Sequence, residues 1–302
     1  MIITTTGRIR DDFYVAGSEA TPVYLLDGPA PLIFDAGFTA FSSWYASDIK
    51  AVLNDRVPRY LFLTHSHFDH IGAASHFKTL WPTLQIAGSV RCAEILQKPS
   101  AVDLIRALNA EGAKGLKQIG FSVVDETPFE PFDLDLQLEP DQTVDVAPGL
   151  SVIAMNTPGH TWDFMSYWIP EKKILVASEA VACYEKGGYL QPEFLVDFDA
   201  YIASLNRLES LGATVVCCGH HAVFTGPDAV AHFQASAGAA RAYLEMVEAF
   251  LEQEDNDIDR TVMQVKAVEW DPRSWPKQPE SAYLLNTRQR VKTIRKRMIS
   301  NP

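Results

Sequence analysis

The stretch Thr64-His65-Ser66-His67-Phe68-Asp69-His70 constrains this chain more than any other. It places three histidines and one aspartate within six residues, in a chain of 302 that has eight histidines in all. Ahead of it, Arg59-Tyr60-Leu61-Phe62-Leu63 has the apolar, aromatic-rich pattern of a buried strand. Behind it, Phe77, Leu80 and Trp81 recur at helical spacing until Pro82 stops the helix. The motif therefore falls between a buried strand and a helix start, where open α/β layers place their chemistry. Four donors on a bending loop do not all face one ion. The natural division sends His65 and His67 toward one metal, and Asp69 and His70 toward a second. Histidine with carboxylate suits zinc, iron or manganese. A merely His-rich surface loop is the bland alternative, and the density of the motif argues against it.

His65-x-His67-x-Asp69-His70 after an apolar strand resembles the metal motif of the metallo-β-lactamase-fold hydrolases. The resemblance implies an α+β fold, a four-layer αββα sandwich with one or two metals at the sheet edge. It also directs attention to later strand ends. Leu150–Asn156 reads as a strand and leads to Thr157-Pro158-Gly159-His160, which matches the family's third ligand on the first metal. The strand Lys173–Ala177 ends in Ser178-Glu179, where the family usually has Gly-Asp with the Asp bridging two metals. Glutamate offers the same carboxylate oxygens on a longer arm, so Glu179 is the expected bridge. The rival is a Glu179 turned away, with a weakened second site. The strand Thr214–Cys218 leads to Gly219-His220, and His220 aligns with the family's final ligand to the second metal. His221 is expected to point elsewhere. Asp35, in Asp35-Ala36-Gly37, matches a family position that braces the metal loop, against the plain reading of a turn residue. Asp69 would bind the second metal and orient the attacking hydroxide.

The remaining pattern is coarse. Pro22–Leu26 and Pro31–Phe34 read as a hairpin. Ser42 or Ser43 is expected to cap a helix through Leu53, Ser89 one through Leu96, and Asp199 one ending at Gly212. Residues 1–225 are read as the catalytic domain and 226–302 as a helical extension laid over its face. That extension has helices from Asp228 and Ile258, then a loop with Trp270 and Trp275. Its last segment carries Arg288, Arg290, Lys292, Arg295, Lys296 and Arg297. Such an extension resembles the thioesterase-like branch that includes glyoxalase II and the quinolone-signal response protein. The basic segment reads as a solvated face pairing with the acidic run from Glu252 to Asp259, or else as a site for a carboxylate or phosphate.

The net charge of −12 argues against general nucleic-acid binding. No apolar run reaches membrane length, and the N-terminus lacks the apolar core of a secretion signal. Cys92, Cys183, Cys217 and Cys218 fit neither a zinc knuckle nor a disulfide framework. These readings point to a cytoplasmic protein with reduced thiols. The expectation is a binuclear metal hydrolase cleaving a thioester or lactone in a small molecule, with zinc the first choice of metal. A phosphodiesterase, or a regulatory binding protein with a weakened metal site, is the alternative. The two tryptophans of the 270–276 loop, read as exposed, would suit a homodimer.

Overall fold

A computed structural model describes residues 1–118, 121, 124–185, 187–274 and 277–300. Two seven-stranded sheets lie face to face. The first runs in chain order: Gly7–Arg10, Phe13–Ser18, Thr21–Leu26, Leu32–Phe34, Tyr60–Phe62, Gln85–Ser89 and Leu136–Leu138. Its early strands pair antiparallel, and the 22–34 hairpin forms with Leu25 opposite Ile33. From Leu32–Phe34 onward its strands are parallel. The second sheet places Val215–Cys218 beside Ile174–Ser178 in parallel, with antiparallel partners on both sides. Parallel neighbours end at the same edge. That is why Leu63, Ser178 and Cys218 deliver their following loops to one end of the sandwich.

Each sheet is apolar on both faces, so each needs a cover on its outer side. Phe34, Phe62, Tyr167, Val176 and Val215 fill the space between the sheets. Outside the first sheet, Tyr45, Ile49 and Phe77 pack from the helices Ser42–Leu53 and Ala74–Leu80. Outside the second, Tyr201 and Leu205 pack beside Phe233, Tyr243 and Val247 of the helix Pro227–Gln253. The helices Ile258–Glu269 and Glu280–Ser300 share that same core through Val262, Val265, Val291 and Ile294. The layers are thus αββα, with the C-terminal helices in the outer layer of the second sheet. Two buried tyrosines fasten the sheets together at the loop-bearing end. The Tyr24 hydroxyl donates to the Cys218 carbonyl at 2.5 Å, and the Tyr167 hydroxyl to the Leu63 carbonyl at 2.6 Å.

Several local expectations are corrected. Neither Ser42 nor Ser43 caps its helix. Ser42 donates back to the Thr39 carbonyl, and the Ser43 N–H is taken by Asp125 from a distant loop. Asp197, not Asp199, caps the helix Phe198–Glu209, accepting from Ala200 N at 2.8 Å. Asp199 is instead paired with Arg297. Ser89 does cap its helix, accepting from Cys92 N. Trp270 is 8% exposed, with its indole N–H on the Gln278 carbonyl. It therefore offers no free surface to a second copy, and Trp275 lies outside the described residues.

His232 is buried in the helix Pro227–Gln253, stacked on Phe224 at 3.8 Å. Burial holds it neutral, lowering its pKa to about 4. The groups facing it are the Cys218 thiol and the Ala182 backbone. A histidine depressed in the fold and ordinary when unfolded contributes fully above pH ~6.5 and loses that contribution as pH falls through about 4. His232→Phe is expected to flatten the fall in urea-unfolding free energy between about pH 7 and pH 4 by about 3 kcal/mol relative to wild type. Parallel curves for the two proteins would remove His232 from the acid response.

Candidate metal centre

The motif is built in two local pieces. His65 and His67 lie on the extended loop after Tyr60–Phe62. Asp69 and His70 fall inside a short helical turn, Phe68–Ile71. That change of backbone splits the motif into two directions. Around it, His160, Glu179 and His220 arrive from three strand ends of the second sheet.

Two donor groups result. His65, His67 and His160 each present a ligand atom within 4.8 Å of the others, and His67 Nδ1 lies 3.1 Å from His160 Nε2. Asp69, His70 and His220 form a second group of the same compactness. Glu179 stands between them, 2% exposed and turned inward. One oxygen is 2.7 Å from His70 Nε2 and 3.0 Å from His220 Nε2, and the other is 3.9 Å from His65 Nδ1. The rival in which Glu179 turns away is not the arrangement found.

The surroundings orient four of the five rings by the far nitrogen, as metal-ligating histidines require. His70 Nδ1 meets Asp35 at 2.8 Å, His160 Nδ1 the Glu193 carbonyl at 2.5 Å, and His220 Nδ1 the Ala20 carbonyl at 2.5 Å. His65 Nδ1 is 3.0 Å from the Thr64 hydroxyl, while its Nε2 is buried without any hydrogen-bond partner. A sealed imidazole lone pair with no donor facing it is what a divalent cation would satisfy. The residues present therefore fit the metals the motif implies.

The electrostatics divide the same way. Burial, reinforced by neighbouring rings, holds His65 and His67 below the ordinary histidine pKa and lowers His160 to about 3. These three are neutral, the state in which imidazole binds a metal. Burial also opposes charge on His70, but Glu179 and Asp35 outweigh it and raise its pKa well above normal. His220 goes the same way, to about 9, through Glu179. Burial would raise Glu179, yet the charge of His70 and the hydrogen bond from His220 hold it well below a normal carboxylate.

Other residues that shape the site had no signal of their own. Asp163 is buried and accepts from Ser66 N at 2.8 Å, tying the His160 loop to the motif. Ser178 sits at φ +49°, a left-handed backbone that glycine adopts freely. Its hydroxyl donates to Glu179 at 2.7 Å. The Ser-Glu pair therefore occupies a turn built for glycine and secures the longer acid there. Cys183 joins Glu179 and His220 in a further compact group. His221 is also left-handed and its N–H donates to the Glu19 carbonyl. Its ring lies outside the compact donor groups.

An αββα sandwich with histidines and carboxylates gathered where its parallel strands end is the class of fold and site found here, one suited to holding divalent metals. A family model described as the metallo-beta-lactamase superfamily matches residues 17–220, and the chain belongs to that superfamily. Among curated relatives, the atrochrysone carboxyl ACP thioesterase of Aspergillus fumigatus is 24% identical over 208 residues, 68% of this chain and 52% of that protein. A beta-lactamase-like protein 2 homolog of Caenorhabditis elegans is 29% identical over 67% of this chain and 56% of its own length. The chain thus spans about half the length of the curated relatives it matches. A metallo-beta-lactamase superfamily structure from Sulfolobus tokodaii covers 98% of both chains at 17% identity with a TM-score of 0.59. One from Thermus thermophilus covers 99% of this chain and 94% of its own at 18% identity and 0.62. These structures share the fold. No described helix is long and apolar enough to cross a membrane.

Proposed function

We propose that this protein is a binuclear hydrolase that cleaves a thioester or lactone in a small molecule, in a reducing, cytoplasmic setting. The observation that carries the reading is Glu179, a buried carboxylate that touches His70 and His220 of the second donor group and forms a compact group with His65 of the first. His65, His67 and His160 would hold one divalent cation, and Asp69, His70 and His220 the other, with Glu179 shared. Zinc is the first choice, and iron or manganese suit the same donors. When bound, such a pair supplies Lewis acidity and a water whose pKa falls from about 15.7 toward 7.

The chain's own residues do the rest. Asp69 accepts a hydrogen bond from the attacking water and aims its oxygen at the acyl carbon. Asp35 keeps the His70 proton on Nδ1, so that Nε2 faces the site. In the reaction a carbon–oxygen bond forms and the carbon–sulfur or ring carbon–oxygen bond breaks. The leaving thiolate or alkoxide takes up a proton. The thioesterase among the relatives supports an acyl substrate, and the acidic chain disfavours RNA.

Elemental analysis of protein purified without chelators is expected to find about two metals per chain. Glu179→Ala is expected to lose about half of that metal and at least about 100-fold in kcat/KM. Full metal content in the alanine variant would refute the shared-carboxylate assignment. An acyl thioester should be turned over faster than bis(p-nitrophenyl) phosphate, and the reverse order would favour a phosphodiesterase. Two firmly held metals without turnover of either would favour a binding protein.

A further inference from the structure

The basic face of the last helix is not fully spent on salt bridges. Arg288 pairs with Asp259, Arg297 with Asp199 and Glu248, and Arg290 is buried against the Pro192 carbonyl. Lys292, Arg295 and Lys296 have no ion pair among the described residues, and Arg295 Nε is buried without a partner. Three uncompensated cations within five residues stand out in a chain of net charge −12. They border an open trough in two adjoining parts, of about 270 and 330 Å³: Lys292 and Lys296 line both parts, and Arg295 lines only the second.

The first part of the trough adjoins the His160 loop. Its far wall is Trp162, 44% exposed, two residues after His160. The helix is moored there by Thr293 Oγ1 and Gln289 Nε2, which both donate to the Leu195 carbonyl. The next residue, Val196, donates to the Gly159 carbonyl of the His160 loop. Trough and metal loop are one hydrogen-bonded piece.

We infer that this trough binds the phosphate-bearing nucleotide handle of an acyl thioester, with the phosphates on Lys292, Arg295 and Lys296 and the base on the Trp162 indole. Lysine ammoniums suit phosphate as point charges, and an exposed indole offers a face for a flat heterocycle. A paired helix face or a site for small neutral acyl groups would need neither feature. The inference deepens the hydrolase reading by naming the thiol half of its substrate. That half would be a coenzyme A type thiol.

The test separates the two readings, because its main probe has no bond to cleave. Adenosine 3′,5′-bisphosphate is titrated while tryptophan fluorescence is followed. Quenching that disappears in Trp162→Phe is expected, with affinity weakened at least about tenfold in the Lys292→Glu/Lys296→Glu double variant. Affinity should also fall with added salt. Both lysines are exposed, so the variant is expected to fold, and circular dichroism checks this. With butyryl-coenzyme A as substrate, the double variant should raise KM about tenfold while kcat stays within about twofold. Undiminished bisphosphate binding by the double variant, or equal binding of unphosphorylated adenosine, would overturn the trough assignment. Hydrolysis of a short-handled thioester without bisphosphate binding would also overturn it, yet leave the hydrolase reading standing.

Discussion

Asp35→Asn should keep the protein folded and cripple its metal centre. Asp35 is 2% exposed and sits at φ +57°, a conformation asparagine tolerates. Its carboxylate accepts from Thr64 N at 2.8 Å, from the Thr64 hydroxyl at 2.9 Å and from His70 Nδ1 at 2.8 Å. An asparagine carbonyl can still serve Thr64. Its amide then turns a donor toward His70 and pushes the ring proton to Nε2, the nitrogen that faces Glu179. The expected result is a loss of about 10–100-fold in metal affinity and activity, with unfolding free energy lower by only about 1–2 kcal/mol. Asp35→Ala is more severe. It strands buried donors on Thr64 and His70 and adds left-handed strain, for a cost of about 3–5 kcal/mol. Metal titration and urea unfolding of both variants check this. Normal metal affinity in the asparagine variant would mean that Asp35 only shapes the turn.

Gly219→Ala is the second large effect, and it works through a side chain forty residues away. A Cβ at 219 would lie 2.2 Å from a Glu179 oxygen and 2.4 Å from its carboxyl carbon. Glu179 has nowhere easy to go, since His70, His220 and Ser178 all hold its oxygens. The backbone at 219 is not left-handed, so alanine itself is tolerated and the damage is steric. Overpacking of this kind costs about 1–3 kcal/mol of stability. Displacing the Glu179 carboxylate is expected to lower kcat/KM at least about 100-fold. The double-mutant cycle is the decisive measurement. With Glu179→Ala already present, Gly219→Ala should cost almost nothing further, because its clash partner is gone. Additive effects would place the role of Gly219 elsewhere.

Both predictions turn on residues whose importance was unevenly legible. The spacing of His65, His67, Asp69 and His70 announced a metal site because one short segment holds all four. His160 and His220 were legible because each closes a strand pattern with a Pro-Gly or Gly turn. Asp163 gave no warning. Its contact is to a backbone N–H almost one hundred positions away, and no local pattern encodes such a bond. Ser89 caps its helix as its local pattern indicates, but the other two caps fail for a related reason. Ser43 has the right chemistry, but Asp125 approaches from another loop and takes the role. Asp197 and Asp199 are equal candidates until the chain's entry direction selects one. Trp270 reads as a surface residue in a Pro-rich loop, and only the packing of the last two helices buries it.

Local sequence determined what repeats at short range. Apolar runs specified the strands, helical spacing specified the C-terminal helices, and the histidine-rich turn specified the chemistry. These follow from nearest-neighbour periodicity and from the donors each side chain carries. The tertiary structure decided how those donors are shared. It turned Glu179 inward between two groups, fixed the rings of His70, His160 and His220 by a distant carbonyl or carboxylate, and left Lys292 and Lys296 without an ion pair among the described residues beside Trp162. Each outcome depends on which strand ends meet at one edge of the sandwich, and that meeting is set by the burial of whole sheets against each other.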